Sequence, residues 1–278
     1  MEAQPPASYV KEMEAWHAER LRELAAPDGW LNLAGLYWLR EGRNSFGSGV
    51  DNTIVFPFGT VSASAGYFQR TGESVTMMIT GEGGVTVNGQ PTKEAVIFYK
   101  DSVRQPVVAI RSLRFIIIKR DDKLGIRLRD LNSPLLRSFK DIDRYPVDTG
   151  WRVNAVLQQS GVPTQIAITN VIGQTSRQKS PGKLVFTYRG AQYSLETLED
   201  DGQLFIVFAD GTNGRTTYQS GRFLLVPRPV SKDNTTVIDF NKAYNPPCAF
   251  TTFATCPLPP KENVLPMDVE AGEKKYGH

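Results

Sequence analysis

The sequence predicts a mainly β protein: an N-terminal helix, then two β-domains, the second closing in a long Pro-rich irregular segment. Three observations carry this. Only one stretch, near the N-terminus, repeats its apolar residues with helical period. Beyond Trp30 the apolar runs are short, roughly five residues each, and are punctuated by Gly, Asn and Asp. The closing stretch, with Asn245-Pro246-Pro247-Cys248 and Pro257-Leu258-Pro259-Pro260, is too rich in proline for regular structure and too apolar for a solvated loop.

The helix is expected over residues 8–25. Tyr9, Met13, Trp16 and Leu24 form one stripe with Val10 and Leu21 beside it, Ser8 caps the start and Pro27-Asp28-Gly29 ends it. Charged residues fill the remaining face. His17 falls in this helix and reads as a packed residue rather than a catalytic one. Residues 1–29 are taken as a helical arm. In the first β-domain, residues 30–130, strands are expected at 52–56, 66–69, 74–80, 85–87, 95–99, 107–111 and 115–120, with Asn88-Gly89 as the clearest hairpin turn. In the second, residues 131–278, they are expected at 155–158, 164–169, 183–188, 191–198, 204–209, 221–226 and 236–239, as an antiparallel barrel or sandwich. Arg189-Gly190, Asp200-Asp201-Gly202 and Gly211-Thr212-Asn213-Gly214 supply the turns between them.

Gly47-Ser48, Asn52-Thr53-Ile54-Val55-Phe56, Val61-Ser62-Ala63-Ser64-Ala65 and Val87-Asn88-Gly89 follow one another in an order that resembles a forkhead-associated (FHA) domain. The resemblance implies a β-sandwich. It also implies that an Arg after the first glycine and a Ser-Arg-x-His run would bind phosphothreonine. Here those positions hold Ser48, Ala63 and Ala65, so the charge-assisted donors that a dianion needs are missing. The first domain is therefore expected to be an FHA-like scaffold without phosphothreonine binding.

A second resemblance runs through Tyr145-Pro146-Val147-Asp148 with Trp151-Arg152, Pro181-Gly182-Lys183-Leu184, residues 204–214, Tyr218 and Gly221-Arg222-Phe223-Leu224. It continues through residues 239–251, Cys256-Pro257-Leu258-Pro259-Pro260 and Glu262-Asn263, and Gly29-Trp30-Leu31-Asn32-Leu33 fits as well. The chain in these runs closely resembles the bacterial proteins grouped as domain of unknown function 1684 (DUF1684). That resemblance implies a bacterial origin and no established activity.

Composition narrows the function. The chain has 278 residues, 22% of them charged, and a net charge of +3. That length buries a stable core without staples. Basic and acidic residues are interleaved with no basic block, which argues against nucleic acid. No apolar run approaches the ~18 residues of a membrane span. Met1-Glu2-Ala3-Gln4-Pro5-Pro6 lacks the basic and apolar parts of a signal peptide, so a cytoplasmic protein is expected, with a periplasmic or secreted one, its signal removed, as the alternative. Of the two cysteines, buried free thiols are the expectation, and a Cys248–Cys256 bridge in an oxidising compartment the alternative.

The polar residues that stand out are Arg152, Asp210, Asn213, Tyr218, Arg222, Asp239, Asn241, Tyr244, Asn245 and Cys248. If the strands of Arg222 and Asp239 are neighbours, these groups converge at one sheet end, with the Asn-Pro-Pro segment as a lid. Arg forks onto a carboxylate or phosphate and Asn and Tyr orient a small ligand, so a site for a small polar or anionic ligand is expected. The competing reading is architectural: Asn and Asp satisfy irregular backbone, and an Arg–Asp pair pins a coil to a sheet. A hydrolase or transferase using Asp239 or Cys248 is a further alternative, and a protein-interaction module another. His17 and His278 lie far from this region in sequence, which disfavours a Ser-His or Cys-His site. No His/Cys cluster has zinc spacing, no carboxylate series makes a calcium loop, and no glycine motif cradles phosphate, so neither metal nor cofactor is expected. Glu199, Asp200 and Asp201 read as a solvated hairpin.

Overall fold

The computed structural model describes residues 4–81, 83–101, 104–159 and 164–277; His278 lies outside them. The chain divides into two units. One takes residues 24–139, and the other takes residues 1–23 together with 140–278.

The unit of residues 24–139 is built from period-two alternation of buried and exposed side chains. Its strands are β1 (Leu33–Trp38), β2 (Gly42–Gly47), β3 (Ile54–Val55), β4 (Gly66–Thr71), β5 (Ser74–Ile79), β6 (Val85–Val87), β7 (Gln90–Pro91), β8 (Glu94–Tyr99), β9 (Val108–Ile110), β10 (Leu113–Arg120) and β11 (Lys123–Asp130). They form a six-stranded sheet in the order β1-β11-β10-β9-β6-β7 and a five-stranded one in the order β3-β2-β4-β5-β8. Phe46, Phe68 and Met77 from the second sheet meet Phe115, Ile117, Ile126 and Leu128 from the first in one core, which makes a sandwich. Asn88 and Gly89, both at positive φ, make the two-residue turn that sets Val87 opposite Gln90. A short helix α2 (Pro134–Ser138) follows, capped by Ser133, whose hydroxyl accepts from the Leu136 N–H.

The loops around Ser48 and Asn52 bind each other. The Ser48 hydroxyl donates to the Val61 carbonyl, and the Asn52 amide donates to the carbonyls of Gly49 and Ala63.

The other unit begins with helix α1 (Ala7–Ala25), whose first 17 residues (7–23) belong to it. Tyr9, Met13, His17 and Arg20 are buried at spacings of four, four and three, one face of an α-helix. Arg20 thus lies in the stripe rather than on the charged face. The strands are β12 (Arg152–Gln158), β13 (Thr164–Thr169), β14 (Thr175–Ser180), β15 (Lys183–Tyr188), β16 (Ala191–Glu196), β17 (Leu198–Asp200), β18 (Gln203–Phe208), β19 (Arg222–Pro227) and β20 (Thr235–Asp239). A four-stranded sheet β16-β15-β12-β20 and a three-stranded sheet β17-β18-β19 share one core, while β13 and β14 form a separate hairpin. Among the described residues no sheet closes into a barrel. Residues 264–273 complete the core with Leu265, Val269 and Ala271. Their course needs Gly272, at φ +75°: a Cβ there would stand 2.4 Å from the Ala243 carbonyl oxygen. No described helix is long and apolar enough to cross a membrane.

Candidate functional site

Arg222 is the first residue of β19 and Asp239 the last of β20, and these strands belong to different sheets. The two residues anchor separate networks. Arg222 is wholly buried; it pairs with Asp210 at 2.9 Å and donates to the carbonyls of Val269 and Ala271. Burial pulls its guanidinium down from its ordinary value, and Asp210 pulls it back up. Asp210 also accepts from the N–H groups of Thr212 and Val269. Asn213 closes the same turn, accepting from the Asp210 N–H and donating to the Tyr218 carbonyl. An arginine–aspartate pair here pins a coil to a sheet.

Asp239 accepts from the Tyr9 hydroxyl, at 2.8 Å to each carboxylate oxygen, and from the Asn241 backbone and side chain. Burial and the Asp239 carboxylate push the Tyr9 phenol well above its ordinary value. The Asn241 side chain then reads the backbone of Asp148 twice, accepting from its N–H at 3.0 Å and donating to its carbonyl at 2.8 Å. Arg152 is exposed beside the Tyr9 ring. A third network joins Arg20, which donates to Glu273 at 3.2 Å and to the Asn245 carbonyl, to the Asn245 N–H, which donates to the same carboxylate at 2.7 Å. Burial pushes the Glu273 carboxyl up, with Arg20 pulling it down. Arg20 also lies over the ring of Tyr244, whose phenol burial pushes up to about 12.

Cys248 and Cys256 form a disulfide, with Cα atoms 6.1 Å apart. This corrects the expectation of free thiols: the irregular segment brings two residues eight apart within bridging distance. A bridged Cys248 has no thiolate to offer as a nucleophile. Tyr218 donates to its carbonyl. The polar candidates therefore sit in several networks rather than around one opening; most of their hydrogen bonds are made within the protein, with Arg222 Nε and Asn245 Oδ1 buried without a partner among the described residues.

A cleft of about 650 Å³ is lined by Tyr145, Pro146, Asp148, Trp151, Tyr188, Arg189, Tyr193, Met267, Asp268 and Glu270. It forms where the core runs out. On β15 the inward residues are Leu184, Phe186 and Tyr188; the first two are buried and the third is half-exposed. Tyr193 sits opposite Phe186 on β16 and is also half-exposed. Trp151 stacks on Tyr188, ring centres 4.6 Å apart, and meets the ring of Phe240 edge-on.

The walls are held from behind by the buried networks. Asn241 fixes Asp148, and the Asp148 carboxylate caps the turn Thr149–Trp151 by accepting from the Gly150 N–H. Arg222 grips the carbonyls on both sides of Glu270, and the Gly211 N–H donates to the Met267 carbonyl. None of the sequence candidates lines the cleft. The signal that could have found it was in the run Tyr145-Pro146-Val147-Asp148 with Trp151, which mixes aromatic and acidic residues ahead of a strand. Among the described residues no group of three His, Cys, Asp or Glu side chains is placed to hold a metal.

Residues 137–274 match the model of the family described as "Protein of unknown function (DUF1684)". An uncharacterised protein from gene locus rrnAC0354 of Haloarcula marismortui, solved by NMR, is 30% identical. The match covers 51% of this chain and 80% of that one, with a TM-score of 0.42. An FHA domain studied for phosphothreonine-dependent interactions is 22% identical over 34% of this chain and 92% of that one, with a TM-score of 0.23. The FhaA FHA domain, solved in complex with the intracellular domain of Rv3910, is 22% identical over 34% of this chain and 97% of that one, also at a TM-score of 0.23. No curated protein matches. Through residues 137–274, with the runs around Trp151, Arg222 and Asp239 inside them, the chain belongs to the DUF1684 family.

Proposed function

We propose that the unit containing residues 140–278 is a binding protein for a small polar ligand, and that the cleft beside Trp151 and Tyr193 is its site. One observation carries the reading: the backbone of the cleft walls is held by buried polar networks, while several lining polar groups make no ion pair or side-chain hydrogen bond among the described residues. Among the described residues Glu270 makes no ion pair and feels Arg215 only through space, Arg189 pairs with no carboxylate and rests by the Tyr188 ring, the Tyr193 hydroxyl makes no hydrogen bond, and one oxygen of Asp148 accepts from the Gly150 N–H. Walls fixed from behind, with open donors and acceptors in front, are how a pre-formed site is built. Arg222, Asp239 and Asn241 then act as positioning residues rather than ligand contacts. The volume falls within the ~300–1,000 Å³ of small-molecule sites.

The disulfide bears on where this happens. Bridged cysteines persist in oxidising compartments, which favours the periplasmic or secreted alternative over the cytoplasm.

A fragment screen read by protein NMR tests the site. Hits are expected to shift the Trp151 indole N–H and the Arg189 side chain. Glu270→Ala and Arg189→Ala, both at exposed positions, should weaken those hits while changing stability by no more than about 0.5 kcal/mol. Hits that all map elsewhere would refute the cleft as a site.

A further inference from the structure

We infer that the ligand of this cleft is a neutral polyhydroxylated molecule, a short saccharide. The inference rests on the binding reading above and adds the ligand class, from three features.

The first is charge balance. The carboxylates of Asp148, Asp268 and Glu270 line the cleft, but cations accompany them. Arg189 is in the lining, Arg215 pairs with Asp268 at 2.6 Å, and the Lys274 ammonium stands 4.9 Å from the Tyr145 ring centre. With Arg215 and Lys274, which stand beside the lining rather than in it, three negative groups meet three positive ones, so net charge selects neither an anion nor a cation strongly.

The second is occupancy of the aromatic faces. An organic cation binds over an open aromatic ring. Here Lys274 lies over Tyr145 and Arg189 lies 5.2 Å from the ring centre of Tyr188, so the protein's own cations fill those positions. Trp151 gives a face to Tyr188. Pro146, Tyr193 and Met267 remain as the apolar surface, suited to the C–H side of a sugar ring.

The third is the mix of lining groups with open hydrogen-bonding capacity among the described residues. Glu270 and the second oxygen of Asp148 only accept; Arg189 only donates; the Tyr193 hydroxyl does both. Neighbouring sugar hydroxyls each donate and accept, and so can satisfy a carboxylate and a guanidinium from one ring. A ligand carrying only acceptors would leave Glu270 and Asp148 unmatched, and one carrying only donors would leave Arg189 unmatched.

The test is an NMR titration of the full chain with maltotriose, cellotriose and triacetylchitotriose, and with spermidine and citrate as charged probes. At least one trisaccharide should shift Trp151 and Arg189, with an affinity that changes less than about twofold between about 50 and 500 mM salt, because a neutral ligand is not screened. Glu270→Gln and Tyr193→Phe should each weaken that binding about five- to tenfold, the size of one lost hydrogen bond. Spermidine or citrate binding at the same residues, weakened by salt and with no trisaccharide response, would overturn the saccharide while leaving the cleft a site. No shift at Trp151 or Arg189 from any of the five probes would count against both.

Discussion

Arg222 and Asp210 face each other at 2.9 Å with neither side chain exposed. Removing one partner of such a pair leaves the other charged and buried, which costs far more than a surface pair is worth. Arg222→Met should lower unfolding free energy by about 3–5 kcal/mol in urea denaturation. Cleft binding should fall with it, since Arg222 holds the carbonyls flanking Glu270. A variant that kept its stability and lost binding would instead make Arg222 a ligand contact. The residue types around Arg222 and Asp239 were conspicuous in the sequence, but their direction was not. Sequence gives the presence of a fork and a carboxylate; which carbonyls and hydroxyls they meet depends on Tyr9 and Ala271, distant in the chain. Glu273 was missed for the same reason: one carboxylate in an acidic and basic tail looks solvated until the backbone buries it beside Arg20.

Helix α1 shows the same lesson at the scale of an element. Its stripe through Tyr9 and Met13 was legible from period and its end from Pro27-Asp28-Gly29, whereas Ser8, expected as the cap, lies inside the helix, and its polar matches were not legible. The helix is fastened to its unit by Tyr9–Asp239, His17–Asp141, Arg20–Glu273 and Lys242–Glu12 contacts. Strand recognition failed where alternation was masked. β11 carries charges through a buried run, and β14, all polar and mostly exposed, has no apolar signal at all. The fastenings of α1 also set its response to acid. The Lys242 hydrogen bond holds Glu12 below its ordinary range. Burial alone would raise Asp141, but the His17 hydrogen bond and the Ile142 N–H outweigh it and hold it low. Groups lowered by folding contribute stability above their unfolded values, near 4, and lose it as pH falls through the folded ones. Glu273, raised by burial, works in the opposite sense, its penalty easing as pH falls through its folded value. We expect hydrogen-exchange protection in α1 to fall below about pH 4 while protection in β18 persists. Equal protection in both at low pH would show that these contacts do not govern the helix.

The described residues form two cores, one for each unit. Residues 24–139 hold a complete two-sheet core, whereas residues 140–278 lack the helix that matches their buried carboxylates. Expressed alone, 24–139 should unfold cooperatively and give a dispersed NMR spectrum. Residues 140–278 alone leave Glu273 without Arg20 and should lose about 3–5 kcal/mol, partly restored by a peptide of residues 4–23. Residues 140–278 showing the same stability alone as with the 4–23 peptide would contradict this.

That arrangement bears on the order of events at the ribosome. Tyr9 and its partner Asp239 are separated by 230 positions in the chain. At ~5–20 residues per second, the helix emerges roughly 10–50 s before the strand that receives its hydroxyl exists. Through that interval the intervening sandwich can fold to completion, while Tyr9, Met13 and Trp16 stand unshielded on a nascent amphipathic segment. A chaperone that grips short apolar stretches would therefore hold helix α1 until the strand that carries Asp239 has arrived.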